Sequence, residues 1–255
     1  MWMGLLDRKT AVITGANSGI GLATAERFLA EGVERVFITG RRQRELEDAA
    51  RQLGPRATAV RGDVGAPRDL DRLYGEVAAA GAGLDIVMAN AGTTRVARLG
   101  EITDDDLDTL LGTNVKGVVY TVQKALPLLN DGASIILTGS TTADRGRAGL
   151  SIYAATKAAV RSLARAWANE LAHRNIRVNV LVAGSTATPG SDRLAAQTDP
   201  YVSVEEFRAG RIATIPLGRF ADPVEIAHAA VFLASDLSSF CTGSTVTADG
   251  GFNQV

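Results

Sequence analysis

Short runs of aliphatic and β-branched residues alternate along this chain with longer stretches whose apolar positions recur at helical spacing. TAVIT (10–14), RVFIT (35–39), ATAVRG (57–62), LDIVMAN (84–90), SIILTG (134–139) and IRVNVLV (176–182) predict six strands, and GSTVTADGG (243–251) a short seventh. Between them, helices are predicted over 21–32, closing at Gly32, and over 43–53. Further helices are predicted over 67–81 with Pro67 in the first turn, and over 104–129, 151–174 and 223–234. Strands that alternate with helices of this length form βαβ units, so the sheet is parallel and covered on both faces. Right-handed crossovers leave a doubly wound sheet as the economical topology.

One stretch has little periodicity: residues 184–215, which include STATPGSDRLAAQTDPYVSVEEFRAGR. It follows the sixth strand, beyond the carboxyl end where ligands of such sheets bind. It reads as a substrate-loop insertion, either a lid or an insertion facing another subunit. There is no internal repeat or low-complexity tract, and 255 residues suit one α/β domain, 1–255. A formal charge of −1 points to neither a nucleic acid nor an anionic membrane as partner. No charge-free apolar run is long enough for a membrane span. The start, MWMGLLDRKT, lacks the basic segment of a signal peptide. A single cysteine, Cys241, rules out an intramolecular disulfide framework, so a cytoplasmic location is expected. His173 and His228 are far apart in helical patterns and read as structural, so no metal site is expected.

TGANSGIG (14–21) lies directly after the first strand and opens the first helix. Gly15, Gly19 and Gly21 permit a tight turn and close backbone approach to a pyrophosphate, and the helix N-terminus offers amides to the phosphates. Asn17, Ser18 and Ile20 belong to the same loop. The second strand ends TGRRQRE, with Arg41 where an NAD site commonly carries an acidic residue. A guanidinium there matches a 2′-phosphate, which favours NADP(H) over NAD(H), unless Arg41 only faces solvent or stacks on adenine. Asp63 and Val64 follow the third strand, where a carboxylate can accept from the adenine amino group. Asn90, Ala91 and Gly92 end the fourth strand beside the expected cofactor; Asn90 either faces that ligand or bonds backbone in the turn. Asn114 interrupts a predicted helix as a mediocre helix former, either kinking it or holding a water.

The densest chemistry is a triplet. Tyr153 and Lys157 stand four residues apart in SIYAATKAAV, on one helix face, and Ser140 lies thirteen residues upstream in LTGS. A positive charge beside a phenol favours the phenolate and brings a proton donor closer to neutral pH. A serine hydroxyl can donate to a developing alkoxide. The pattern reads as proton transfer to or from a carbonyl or alcohol oxygen.

In this order and spacing, TGANSGIG, Asp63-Val64, Asn90-Ala91-Gly92, Asn114, Ser140, Tyr153, Lys157, RVNVLVAG and SSFCTGSTVTADGG resemble the short-chain dehydrogenase/reductase family over nearly the whole chain. The resemblance implies a single Rossmann domain and a catalytic tetrad of Asn114, Ser140, Tyr153 and Lys157. Tyr153 would be the acid/base, and Lys157 would lower its pKa and bind the nicotinamide ribose. Ser140 would orient the substrate oxygen, and Asn114 would hold a relay water. Gly184, Thr186 and Thr188 would lie near the nicotinamide carboxamide, and the partner copies would form a homotetramer or homodimer. The implied reaction passes a hydride between NADP(H), less readily NAD(H), and a small secondary alcohol or ketone. A non-catalytic dinucleotide-binding sensor is the alternative, and the tetrad argues against it. The chain departs from the family at Ala183, where proline is usual, and at Ala89, where asparagine is usual; loss of the proline is expected to loosen the loop carrying Thr186 and Thr188. Arg95, Arg145 and Arg147 read either as solvent-facing or as contacts for an anionic substrate group.

Overall fold

All five residues of β1 (Thr10–Thr14) and all but the first of β2 (Arg35–Gly40) are buried, as strands covered on both faces must be. The computed structural model describes residues 4–81, 83–198 and 201–255. The remaining strands are β3 (Ala57–Arg61), β4 (Leu84–Ala89), β5 (Leu129–Thr138), β6 (Arg177–Ala183) and β7 (Thr245–Ala248). They form one parallel sheet in the order β3-β2-β1-β4-β5-β6-β7. This is the doubly wound fold expected from the sequence. Side chains alternate between two cores. Val12, Val87, Ile135 and Leu137 face α3 (Pro67–Ala79), α5 (Gly117–Ala125) and α6 (Ser151–Glu170). Ala11, Ile13, Ile86, Met88 and Ile136 face α1 (Gly19–Ala30), α2 (Gln43–Leu53) and α9 (Pro223–Ala234). Among the described residues no helix is long and apolar enough to cross a membrane.

Three expectations need correction. The helix predicted over 104–129 is three pieces: α4 (Asp104–Leu111), a π-helical turn over Gly112–Lys116, and α5. Thr103 starts α4 through a capping box with Asp106. The helix stops two residues before Pro127, which has no N–H to extend it. The fifth strand accordingly begins earlier than 134, at Leu129, with a register irregularity against β4 between Leu84 and Ile86. Finally, the stretch 184–215 is not an unpatterned loop. It carries α7 (Pro189–Thr198) and α8 (Val204–Ile212), the latter capped by a Ser203–Glu206 box. The backbone also continues past β6 as a ladder, because the Gly184 N–H donates to the Ala248 carbonyl at 2.9 Å. Ala183 itself pairs with Ala248, so the loop is tied to β7 at the point where proline was missing.

The strand order reverses between β1 and β4, and the chain diverges there to open a crevice at the carboxyl ends. Thr14 holds that junction. Its buried hydroxyl accepts from the backbone N–H of Asn90 at 3.1 Å and of Ala91 at 3.0 Å. Thr14→Val keeps the shape and leaves the Ala91 N–H without that acceptor, so it is expected to cost about 1–3 kcal/mol. A urea midpoint lowered at unchanged m-value checks this. An unchanged midpoint would mean that the hydroxyl does not hold the junction.

Candidate active site

The crevice is a cleft of about 640 Å³ that brings together the glycine loop, the ends of β2, β3 and β4, the tetrad side of α6 and the segment after β6. Its floor at the first βα turn fits the phosphates of a dinucleotide. Gly15 has φ +66°, and a Cβ there would lie 2.8 Å from the Cα of Ala91, so only glycine allows this approach. Ser18 precedes α1 with no side-chain cap, which leaves first-turn amides open to an anion. The Asn17 Nδ2 is buried without a partner, a donor that a phosphate or ribose oxygen would satisfy. Ser18, Gly19 and Ile20 line the cleft, and Gly21 packs below it.

At the adenosine end, Thr39, Gly40, Arg41, Arg42, Asp63 and Val64 line the wall. Arg41 is 63% exposed and reaches the Asp63 carboxylate at 3.5 Å. Asp63 also accepts from the Gly65 N–H at 2.9 Å, which fixes one of its oxygens in a turn. At the centre, Asn90 lines the cleft and also bonds backbone: its Nδ2 donates to the carbonyls of Thr14 at 3.0 Å and Gly15 at 3.2 Å. Ala91 and Gly92 line the cleft beside it.

The π turn explains Asn114. An extra residue in the turn leaves a side chain wholly buried under the crevice. Its Oδ1 accepts from the Thr93 N–H at 2.9 Å, and its Nδ2 donates to the Thr93 carbonyl at 2.9 Å and the Thr156 hydroxyl at 3.2 Å. A Cβ on Gly92 would lie 3.5 Å from the Asn114 Oδ1 and 3.6 Å from the Lys157 Nζ. Asn114 and Lys157 therefore flank the same glycine.

Tyr153, Lys157 and Ser140 meet as their spacing suggests. The side chains of Ser140 and Thr94 lie at the Tyr153 hydroxyl and act on its acidity. Ser140 accepts from the Thr142 hydroxyl at 2.9 Å and from the Thr142 N–H at 3.3 Å. The Lys157 Nζ lies 5.8 Å from the centre of the Tyr153 ring and donates to the Thr138 carbonyl at 2.8 Å. Lys157 is only 4% exposed and forms no ion pair with the described residues, so burial lowers its pKa from 10.5 to about 8. The expected depression of Tyr153 by that ammonium does not dominate. Burial raises the phenol's pKa, and the hydrogen bonds from Ser140 and Thr94 pull it partly back.

Beyond Tyr153, Thr186 and Thr188 line the cleft with Gly184. Thr186 bonds its own loop through the Gly184 carbonyl at 3.0 Å, and Thr188 accepts from the Ser191 N–H at 3.1 Å. Of the arginines noted in sequence, Arg95 pairs with Asp105. Arg145 stacks on Phe252 and donates to its carbonyl at 2.6 Å. Arg147 lines the cleft over the Phe207 ring, so it is not simply solvent-facing. Sequence reasoning missed Arg211 and Thr142, which join the wall from α8 and from the turn after Ser140.

Comparison with known proteins agrees with this geometry. A family model described as enoyl-(acyl carrier protein) reductase matches residues 15–253. Oxidoreductase asL5 of Sarocladium schorii is 46% identical over 252 residues, covering 98% of both chains. A short-chain dehydrogenase/reductase from Brucella melitensis, described as a glucose/ribitol dehydrogenase, superposes with a TM-score of 0.91 at 31% identity over 100% of both chains. A 3-ketoacyl-(acyl-carrier-protein) reductase from the same organism, solved with NADH, gives a TM-score of 0.87 at 32% identity, over 97% of this chain and 99% of that one. With the model spanning nearly its whole length and relatives of this closeness, the chain belongs to the short-chain dehydrogenase/reductase family of NAD(P)-dependent oxidoreductases.

Proposed function

We propose that the protein interconverts a secondary alcohol and a ketone with NADP(H), using Tyr153 as general acid/base. The observation that carries this is the convergence of Tyr153, Ser140 and Lys157 on the cleft that holds the glycine loop. The bound dinucleotide supplies or accepts the hydride. The protein's part is to position an oxygen and move its proton. The Ser140 hydroxyl, held by Thr142, holds the substrate oxygen against the Tyr153 hydroxyl. The raised pKa keeps the phenol protonated at neutral pH, which suits donation to a carbonyl oxygen. The Lys157 ammonium, bonded among the described residues only to the Thr138 carbonyl, keeps donors free for ribose hydroxyls and stabilises a phenolate once the proton has left. Asn114 is a positioning residue that fixes Thr93 and the floor under Gly92.

Preference for the 2′-phosphate rests on Arg41 and Arg42 at the end of β2, where no carboxylate lines the cleft before Asp63. The weak, exposed pairing of Arg41 with Asp63 leaves the guanidinium free to turn to a dianion. Helices α7 and α8 fit a substrate cover, since both line the cleft beyond Thr188.

Tyr153→Phe is expected to lower kcat at least about 100-fold while leaving cofactor affinity within a few-fold, as loss of a general acid does. Because the phenol's pKa is raised, wild-type carbonyl reduction should hold through neutral pH and fall at alkaline pH, with alcohol oxidation rising over the same range. Steady-state rates in both directions on a carbonyl and alcohol panel check this; full activity of the variant would remove the acid/base assignment. Arg41→Asp should lower kcat/KM with NADPH at least about 10-fold and with NADH by less than about threefold. Equal losses with the two cofactors would defeat the preference.

A further inference from the structure

Three guanidiniums gather at the substrate end of the cleft with no carboxylate bonded to any of them among the described residues. Arg145 and Arg147 come from the segment between β5 and α6, and Arg211 from α8. Several neighbouring acids are committed elsewhere: Asp144 pairs with Arg161, Asp192 pairs with Arg208, and Glu206 caps α8 through Ser203. Arg145 has a structural duty on Phe252. Arg211 stacks on the same ring at 4.7 Å and, among the described residues, hydrogen-bonds only the Ser185 hydroxyl, at 3.3 Å. The half-buried Arg147 side chain lies 5.4 Å from the Phe207 ring and makes no hydrogen bond with the described residues.

These residues surround a side pocket of about 270 Å³, lined by Arg145, Arg147, Arg211, Thr142, Thr214 and Phe252 as well as Gly146. It opens from the main cleft, with which it shares Thr142, Arg147 and Arg211. Thr142 is the link to the chemistry, since its hydroxyl sits 2.9 Å from that of Ser140. Assembling the cluster has a cost. Burial lowers the pKa of Arg147, and that of Arg211 is lowered by burial and then by the charges of Arg147 and Arg145. Mutually repelling cations laid on aromatic rings beside the reacting position, two of them half-buried, favour a counter-charge that the described residues do not provide.

We infer that the substrate of the proposed reaction carries a carboxylate or phosphate group, which Arg147 and Arg211 hold in this side pocket while its carbonyl or hydroxyl carbon lies at Ser140 and Tyr153. The anion is separated from the reacting carbon by a short spacer, because the pocket begins one hydroxyl away from Ser140. The inference rests on the oxidoreductase reading above for the reaction, and on the arginines for the charge. The α7–α8 segment then serves recognition, since α8 delivers Arg211 and the Phe207 ring under Arg147.

The test uses the enzyme with NADPH bound and matched probes: acetoacetate and levulinate against their methyl esters, and dihydroxyacetone phosphate against dihydroxyacetone. Binding is read by quenching of bound NADPH fluorescence and turnover by NADPH absorbance. At least one anion should bind about 10- to 100-fold more tightly than its neutral partner, with the advantage shrinking as salt rises. Which pair shows it tells carboxylate from phosphate. Arg147→Met and Arg211→Met, combined, should erase the advantage while leaving NADPH affinity and melting temperature near wild type. Arg68→Met, which removes one exposed charge from α3 outside the lining of both the cleft and the side pocket, should retain it. Equal binding of every anion and its neutral partner, or an advantage that survives in the double variant, overturns the inference. Turnover of the neutral probes without any anion advantage defeats the inference and leaves the reaction standing. An anion advantage without turnover of any probe defeats the reaction and leaves the anion site standing.

Discussion

The site is organised around one buried ammonium. Lys157 lies beneath the cleft with the Thr138 carbonyl as its sole hydrogen-bond partner among the described residues. An unpaired buried cation is a burden on a fold, and burial accordingly depresses its pKa. The surrounding structure shows how the charge is kept in place rather than neutralised. Gly92 leaves room beside it, Asn114 closes the floor through Thr93, and Thr156 on the same helix is bonded to Asn114. These contacts run through backbone groups, an amide side chain and a hydroxyl, and none brings a carboxylate. Such an arrangement makes sense where a ligand rich in hydroxyl and phosphate oxygens completes the shell.

The second constraint is the reversal of strand order. Because β1 and β4 are neighbours while their following segments leave in opposite directions, Thr14, Gly15, Asn90 and Ala91 meet at one point. Asn90 and Thr14 sew the two loops together with backbone hydrogen bonds, so the glycine loop and the end of β4 share one edge of the cleft. The substrate end is built differently. It borrows side chains from a segment after β6 and from the turn after β5, both of which lie outside the sheet. In this division the sheet fixes the glycine-loop end of the cleft, and the helices α7 and α8 wall its other end.

Much of this was legible in the residues. The parallel sheet followed from buried aliphatic runs, and Tyr153 and Lys157 fell on one face of α6 as helical spacing requires. What escaped was of two kinds. Some signals were present but outweighed by periodicity: Pro127 marked the end of the helix after Asn114, and Ser203 with Glu206 marked the start of α8. Others are properties of packing that one-dimensional pattern does not carry. A π turn at Asn114 is invisible to helical spacing, because the residues on either side remain in phase with good helices. The rise in the Tyr153 pKa depends on how deeply the phenol sits, and the guanidinium cluster joins residues more than sixty positions apart. Charge counting along the chain saw Arg147 only beside its sequence neighbours, where a solvent-facing role was the natural reading.

The central claim is that Lys157 is held as an unpaired cation against the interest of stability. The shift from 10.5 to about 8 corresponds to about 3 kcal/mol lost at neutral pH. The folded protein binds fewer protons than the unfolded chain between those values, so the penalty is full below about pH 8 and is relieved as pH rises toward 10.5. The direct measurement is the unfolding free energy in urea of wild type and Lys157→Met across this range. The account predicts a variant at least as stable as wild type at pH 7, with an advantage that disappears by alkaline pH. A variant that is clearly less stable at neutral pH, with a difference that does not change with pH, would contradict it.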